Sequence, residues 1–151
     1  MAEVTLKLEE LRHHVGEELG VTPWHEVTQE QVNEFADATF DHQWIHTDLE
    51  RAAASPYGGT IAHGFLTLSL AAWALEQVLE VADATVTINY GLNKVRFPAP
   101  LRTGSSVRAH VNCDAVEDVS GGLQVTFGVT FESADGGKPA CVAEVLIRYG
   151  A

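Results

Sequence analysis

Asp41 and His46 stand five residues apart in the run Thr39-Phe40-Asp41-His42-Gln43-Trp44-Ile45-His46, and Ala62-His63-Gly64 opens the most apolar stretch of the chain. A carboxylate and an imidazole at the mouth of an apolar helix can hold one water between them, one group taking a proton and the other returning it. The backbone N–H of Gly64, at the start of that helix, is suited to polarise a carbonyl. Together these groups fit a reaction in which water is activated while negative charge grows on a nearby oxygen. Plainer readings stand beside this one. Asp41 and His46 also read as a capping or surface pair, and His63 as a local hydrogen-bonding group that shapes the loop. Asp41, His42, His46, Asp48 and His63 imitate a metal site, but no tight ligand spacing is repeated, and no metal is expected.

The elements that must position these residues follow from periodicity. A short helical stretch over Leu6 to Val15 precedes a strand over Thr22 to Val27, and Thr28 with Gln31 forms a capping box for a helix to about Ala38. Asp41 to His46 reads as a loop. Asp48 caps a helical turn from Leu49 to Ala53, and Ser55-Pro56-Tyr57-Gly58-Gly59 is a flexible return to Ala62. Gly64 to Leu79 is apolar on nearly every side of a helical wheel, which marks a helix buried in a core or a membrane. A bilayer span needs about 18 to 20 uninterrupted apolar residues, whereas this stretch carries Ser69, Glu76 and Gln77. It is therefore a core helix, and something must wrap it.

The rest of the chain supplies the wrapping. Strands are predicted over Thr85 to Tyr90, Lys94 to Phe97, Ser106 to Glu117, Leu123 to Ser133 and Cys141 to Tyr149. Ser120-Gly121-Gly122 and Asp135-Gly136-Gly137 provide the positive-φ positions of tight hairpins, so the last three strands form an antiparallel meander. A long buried helix inside a curved antiparallel sheet is an α+β arrangement.

Composition narrows the function classes. The chain has 151 residues and 46% apolar content, enough for one domain, residues 1–151, with a sizeable core. A net charge of −12 with only nine Lys and Arg argues against a nucleic-acid surface. Met1 to Glu10 carries three glutamates and no apolar run, so no secretory signal is read there and a cytoplasmic location is expected. Cys113 and Cys141 lie within strand-like segments without CxxC spacing and read as buried free thiols.

The order of helix, Asp/His loop, AHG, buried helix and long antiparallel strands resembles a single hot-dog domain of the MaoC-like (R)-specific enoyl-thioester hydratases. The segments DHQWIH, TIAHGFLTLSL and INYGLNKVRFPAP make it most similar to the mycobacterial-type (3R)-hydroxyacyl-thioester dehydratases, over nearly the whole chain. The family motif runs from an aromatic residue to Asp-x-Asn-Pro-aliphatic-His and a later small residue. Phe35, Asp41, Ile45, His46 and Ala52 occupy those places, while Gln43 and Trp44 replace Asn-Pro and Phe40 replaces a glycine. If that glycine serves a positive φ, Phe40 adopts the same geometry only at a cost.

The resemblance implies a catalytic acid/base pair at Asp41 and His46, an oxyanion donor at the Gly64 backbone, and a supporting hydroxyl at Ser69. Gln43 keeps amide chemistry that can orient the aspartate or a water, and His63 joins it in support. Trp44, Phe65 and Leu66 are candidate linings of an acyl channel. Lys94 and Arg96 share one face of their predicted strand, either as grips for coenzyme A phosphates or as a solvated surface. Ser69 has its own plainer reading, a bond back to a carbonyl one turn earlier. The implied activity is hydration of trans-2-enoyl thioesters, as coenzyme A or acyl-carrier-protein esters, to (3R)-hydroxyacyl thioesters and the reverse, within fatty acid metabolism. The thioester is substrate and no cofactor is implied. An open sheet edge implies a homodimer, with no membrane insertion. Two other classes remain open: a hot-dog thioesterase, and an acyl-thioester-binding protein without catalysis.

Overall fold

The computed structural model describes residues 2–151. The last three long strands form the meander expected from the hairpin glycines: β6 (Ser106–Val119), β7 (Gly122–Ser133) and β8 (Cys141–Gly150). Gly121, Gly136 and Gly137 all have positive φ at its two turns. Period-2 alternation fills one face. Val107, Ala109, Val111 and Cys113 of β6 point inward, as do Val125, Phe127, Val129 and Phe131 of β7 and Ala143, Val145 and Ile147 of β8. Pairing puts Phe127 opposite Cys113 and Val145, so one aromatic ring spans three strands. The thiols of Cys113 and Cys141 are free, and burial pushes each up to about 11.

Across the whole sheet the order is β2-β6-β7-β8-β5, where β2 is Glu17–Val21 and β5 is Val86–Arg96, and β3 (His25–Glu26) also pairs with β6. Two separate strands were predicted over residues 85–97. The chain instead runs through as one strand with irregularities at Asn89/Gly91 and Leu92/Val95, which absorb the residues that broke the pattern. Of the strand expected over Thr22 to Val27, only His25 and Glu26 form one, β3, while β2 ends just before it at Val21. Pro23 has no N–H to give, and Thr22 leaves the ladder with both its N–H and its hydroxyl bonded to Ala109. The N-terminal helical stretch is a 3-10 helix, Leu8–His14, preceded by β1 (Val4–Leu6), which pairs in parallel with β4 (Leu79–Val81).

The apolar helix lies against the concave face of the sheet, but in two pieces, α4 (Gly64–Ser69) and α5 (Ala71–Val78). The Ser69 hydroxyl bonds back to the Phe65 carbonyl at 2.7 Å, and the Leu70 N–H is shared between the Leu66 and Thr67 carbonyls. Such back-bonding bends a helix where it occurs. Wrapping is one-sided. Ala71, Ala74, Leu75 and Val78 are buried, whereas Phe65, Ser69, Ala72 and Glu76 face outward. Beside that open face, β5 carries four half-exposed apolar residues, Val86, Ile88, Tyr90 and Leu92, on the free edge of the sheet.

Candidate active site

The segment from residue 40 to 64 is built from short pieces held by named polar contacts. Helix α1 (Gln29–Thr39) starts as expected, with the Thr28 hydroxyl accepting from the Gln31 N–H at 3.1 Å. The Gln31 side chain does not close the box; it meets His25 Nε2 at 2.8 Å. At the other end Phe40 is the only described non-glycine residue with positive φ, at 64°. Its left-handed conformation turns the chain out of the helix and presents Asp41. The residues after it, expected as a loop, include a single helical turn, α2 (Trp44–Thr47), and Asp48 then caps α3 (Leu49–Ala53) by accepting from the Arg51 N–H at 3.0 Å. Gly58, at φ 70°, turns the chain back, and residues 60–62 lie antiparallel to 101–103 through Ala62 N–H to the Leu101 carbonyl and Thr103 N–H to the Thr60 carbonyl.

This folding brings Asp41, His46 and His63 together. One carboxylate oxygen of Asp41 and one ring nitrogen of each histidine lie within 4.8 Å of one another. His46 and His63 are buried, the latter only 2% exposed, while Asp41 faces solvent. The two imidazoles stack with centroids 3.8 Å apart and planes 23° from parallel, and Phe35 packs on His63 at 4.9 Å. Each ring has one nitrogen on a carbonyl: His46 Nδ1 on Ile61 O at 2.7 Å and His63 Nε2 on Asp41 O at 3.0 Å. A carbonyl only accepts, so those nitrogens carry hydrogen, and His46 Nε2 and His63 Nδ1 are left as acceptors in the neutral rings. His63 Nδ1 is buried with no protein partner. Burial, first of all, pulls the His63 pKa below the ordinary histidine range, His46 adds to this, and the bond to the Asp41 carbonyl opposes it.

Two of these acceptors, the Asp41 carboxylate and His46 Nε2, match the two hydrogens that one water has to donate. Asp41, His46 and His63 each offer an atom that a metal ion can take as a ligand. The other residues of the imagined metal set are engaged elsewhere, Asp48 in its cap and His42 with Asp37 at 2.9 Å.

A cavity of about 350 Å³ opens against His46, walled by Ile61, Gly64, Thr67, Phe97 and Leu101. Gly64, at the first position of α4, has no intrahelical acceptor for its N–H. A Cβ at Gly64 would stand 3.1 Å from the Phe97 ring, so glycine is what lets this backbone and that ring face each other. Phe97 also walls a second, apolar groove of about 590 Å³, shared with Phe35, Phe65, Leu68, Leu92 and Val95.

The remaining sequence candidates are spread more widely. Phe65 is 68% exposed and lines the apolar groove, Leu66 is in the core, and Trp44 is partly buried under the Arg51 guanidinium at 4.3 Å. Gln43 is exposed, and its N–H reaches the Asp41 carboxylate at 3.4 Å. Ser69 borders the groove, with its hydroxyl on Phe65 O rather than beside His46. Lys94 lies beside the β5 irregularity, Lys94 and Arg96 are both exposed on either side of the half-buried Val95, and the Arg96 guanidinium folds back on Val95 O at 2.7 Å. Sequence reasoning missed Phe97 and Thr67, whose only signal was their apolar or small character.

Comparison with known proteins agrees with this architecture. The profile of the MaoC like domain matches residues 10–134. The chain is 55% identical over 135 residues to 3-hydroxyacyl-thioester dehydratase Z of Mycobacterium tuberculosis, covering 89% of each protein. It is 43% identical over 141 residues to nodulation protein N of Rhizobium leguminosarum bv. viciae, covering 91% of this chain and 88% of that one. Among solved structures, an (R)-hydratase from A. caviae superposes with a TM-score of 0.72 at 23% identity, covering 88% of this chain and 94% of the other, and shares the hot-dog fold. With that coverage, and with the Asp/His loop and AHG turn seated where the fold converges, the chain belongs to the MaoC-like dehydratase family.

Proposed function

We propose that the protein interconverts trans-2-enoyl thioesters and (3R)-3-hydroxyacyl thioesters. The observation that carries this reading is the cluster of Asp41, His46 and His63, whose His46 lines an apolar cavity that Gly64 also walls. The 55% identity to a protein named as a 3-hydroxyacyl-thioester dehydratase supports it. In the hydration direction, water donates hydrogens to the Asp41 carboxylate and to His46 Nε2, and its oxygen bonds to C3 as one proton passes to that pair. The C2=C3 electron pair shifts toward the thioester, whose oxygen takes up negative charge and accepts from the Gly64 N–H. The protonated member of the pair then delivers its proton to C2. No net proton, electron or cofactor is consumed, and dehydration is the same path reversed.

The acyl chain occupies the apolar groove beyond Phe97, and the thioester carrier is coenzyme A or acyl carrier protein. A homodimer completes the molecule by covering the free edge of β5 and the open face of α4 and α5; the exposed Val86, Ile88, Tyr90 and Leu92 support that pairing.

Crotonyl-CoA tests the reading directly. Hydration removes the conjugated enoyl absorbance without releasing thiol. Release of thiol would instead make the protein a thioesterase, and binding without either change would make it a non-catalytic acyl-thioester carrier. Asp41→Asn and His46→Gln are each expected to lower kcat by about 10²–10⁴-fold, the range for positioned acid/base groups, with the circular dichroism spectrum unchanged. Near-full activity in either variant would sink the assignment.

A further inference from the structure

His46 sits on a single helical turn, and one turn of helix does not hold itself in water. Its ring is oriented by Ile61 O, and the Ile61 N–H returns to Ile45 O at 3.0 Å, so the Ile61 strand segment and α2 clasp each other. The side chain of Gln29, the first residue of α1, ties both halves of that clasp to α1. Its Nε2 donates to the His46 backbone carbonyl at 2.8 Å and to Asn33 Oδ1 at 2.9 Å, and its Oε1 accepts from the buried Thr60 hydroxyl at 2.6 Å. Thr60 immediately precedes Ile61, and its own carbonyl is tied to the Thr103 N–H at 2.9 Å. One amide thus binds both sides of the clasp: the segment that carries the imidazole and the segment whose carbonyl aims it. Both donors and the acceptor of the amide are used.

We infer that Gln29 is a positioning residue for His46. It touches neither the cavity beside His46 nor any reacting atom; it borders the opposite side of the Thr60–Ile61 segment, with Thr103 and Arg102. Without the donor to His46 O, α2 loses its hydrogen bond to α1, and the ring is held less firmly at its distance from Asp41. A misplacement of about 1 Å at a reacting group costs on the order of 10²-fold in rate. The inference rests on the hydratase reading for its kinetic consequence, but not for its geometric one.

The test uses the full chain with two readouts. Gln29→Leu removes every bond of the amide; Gln29→Glu is nearly isosteric, still accepts from Thr60 and no longer donates to His46 O. Both are expected to lower kcat on crotonyl-CoA by roughly 10- to 100-fold with KM little changed. Both should also speed hydrogen exchange of the His46 Nδ1–H, followed by ¹⁵N-edited NMR, by roughly 2- to 10-fold, the shift in an opening equilibrium when one supporting hydrogen bond is lost. Thr60→Val should show a smaller loss, Thr60→Ser should retain wild-type values, and the Gln29→Leu/Thr60→Val double variant should fall no further than Gln29→Leu alone, because the two act through one amide. Additive losses in the double variant, or Gln29→Glu with wild-type kcat and wild-type exchange, would overturn the inference. If the wild-type chain does not hydrate crotonyl-CoA, the functional reading fails while the imidazole exchange still decides the role of Gln29.

Discussion

The meander of β6 to β8 and the segment from Phe40 to Gly64 are held by different forces. In the meander, alternate side chains enter a common apolar core, and any one of them has many partners. In the segment, order comes from single directed contacts: the Asp48 cap, the Ile61 carbonyl on His46, the Gln29 amide and the Asp41 carbonyl on His63. Apolar burial is non-directional and spreads a perturbation, whereas a buried polar group that loses its partner costs about 1–3 kcal/mol at one place. The site can therefore be damaged with little harm to the fold, and the fold weakened with little harm to the site.

Phe127→Ala is the largest expected effect on that contrast. Phe127 is fully buried between Cys113 and Val145, and truncating such a ring typically costs about 3–5 kcal/mol. Denaturant titration should show that loss, while kcat measured well below the unfolding midpoint stays within about twofold of wild type, a change of about 0.4 kcal/mol in barrier. A parallel collapse of kcat would mean that the two regions are coupled.

Gly64→Ala should do the reverse. The added methyl meets the Phe97 ring at 3.1 Å, and relieving it moves either the ring or the backbone that faces the thioester oxygen. A fall in kcat of roughly tenfold is expected for a small displacement of an oriented group, against a stability loss of about 1 kcal/mol. Phe97→Leu in the same chain should recover part of the rate by making room.

Histidine pH dependence separates the regions by sign. His63, beside the site, has its pKa lowered chiefly by burial, so the unfolded chain binds the proton more readily; stability present above about pH 6.5 is lost as pH falls toward the lowered value. His110, on β6, has its pKa raised chiefly by its bond to Glu132 and also by Glu18, against some desolvation. Its contribution is full below about pH 6.5 and is lost as pH rises through the raised value. His63→Gln should flatten the acid limb of the stability profile, and His110→Gln the limb above pH 6.5. Identical profiles for the two variants would contradict the difference in their surroundings.

The same contrast explains what could be read from sequence. Alternation in Val107 to Cys113 and Leu123 to Phe131, with glycines at fixed turns, writes the meander directly into residue order. The Asp/His spacing and the AHG turn marked three groups that the fold brings within 4.8 Å. The one-turn helix at Trp44 was invisible because four residues carry no period, and Gln29 was invisible because its partners lie 17 and 31 residues away. Ser69 read both as a supporting site hydroxyl and as a back-bonding one; its hydroxyl makes the back bond to Phe65 O, and its side chain borders the apolar groove.

Phe40 gives the smallest expected change and the finest probe of how the two regions differ. A side chain at φ 64° carries a local strain of about 1–2 kcal/mol relative to the right-handed region, and glycine does not. The ring is 86% exposed, so removing it sacrifices little packing, while the freer unfolded glycine offsets part of the gain by about 0.4–1 kcal/mol. Phe40→Gly should therefore raise stability by roughly 0–1.6 kcal/mol, seen as a small upward shift in the unfolding midpoint. Because φ at residue 40 aims Asp41 directly, the kinetic consequence distinguishes strain from aim. Unchanged kcat with higher stability means the left-handed turn alone positions the carboxylate. A drop in kcat at constant KM means the stiffness of a side-chain-bearing residue there also helps to hold it.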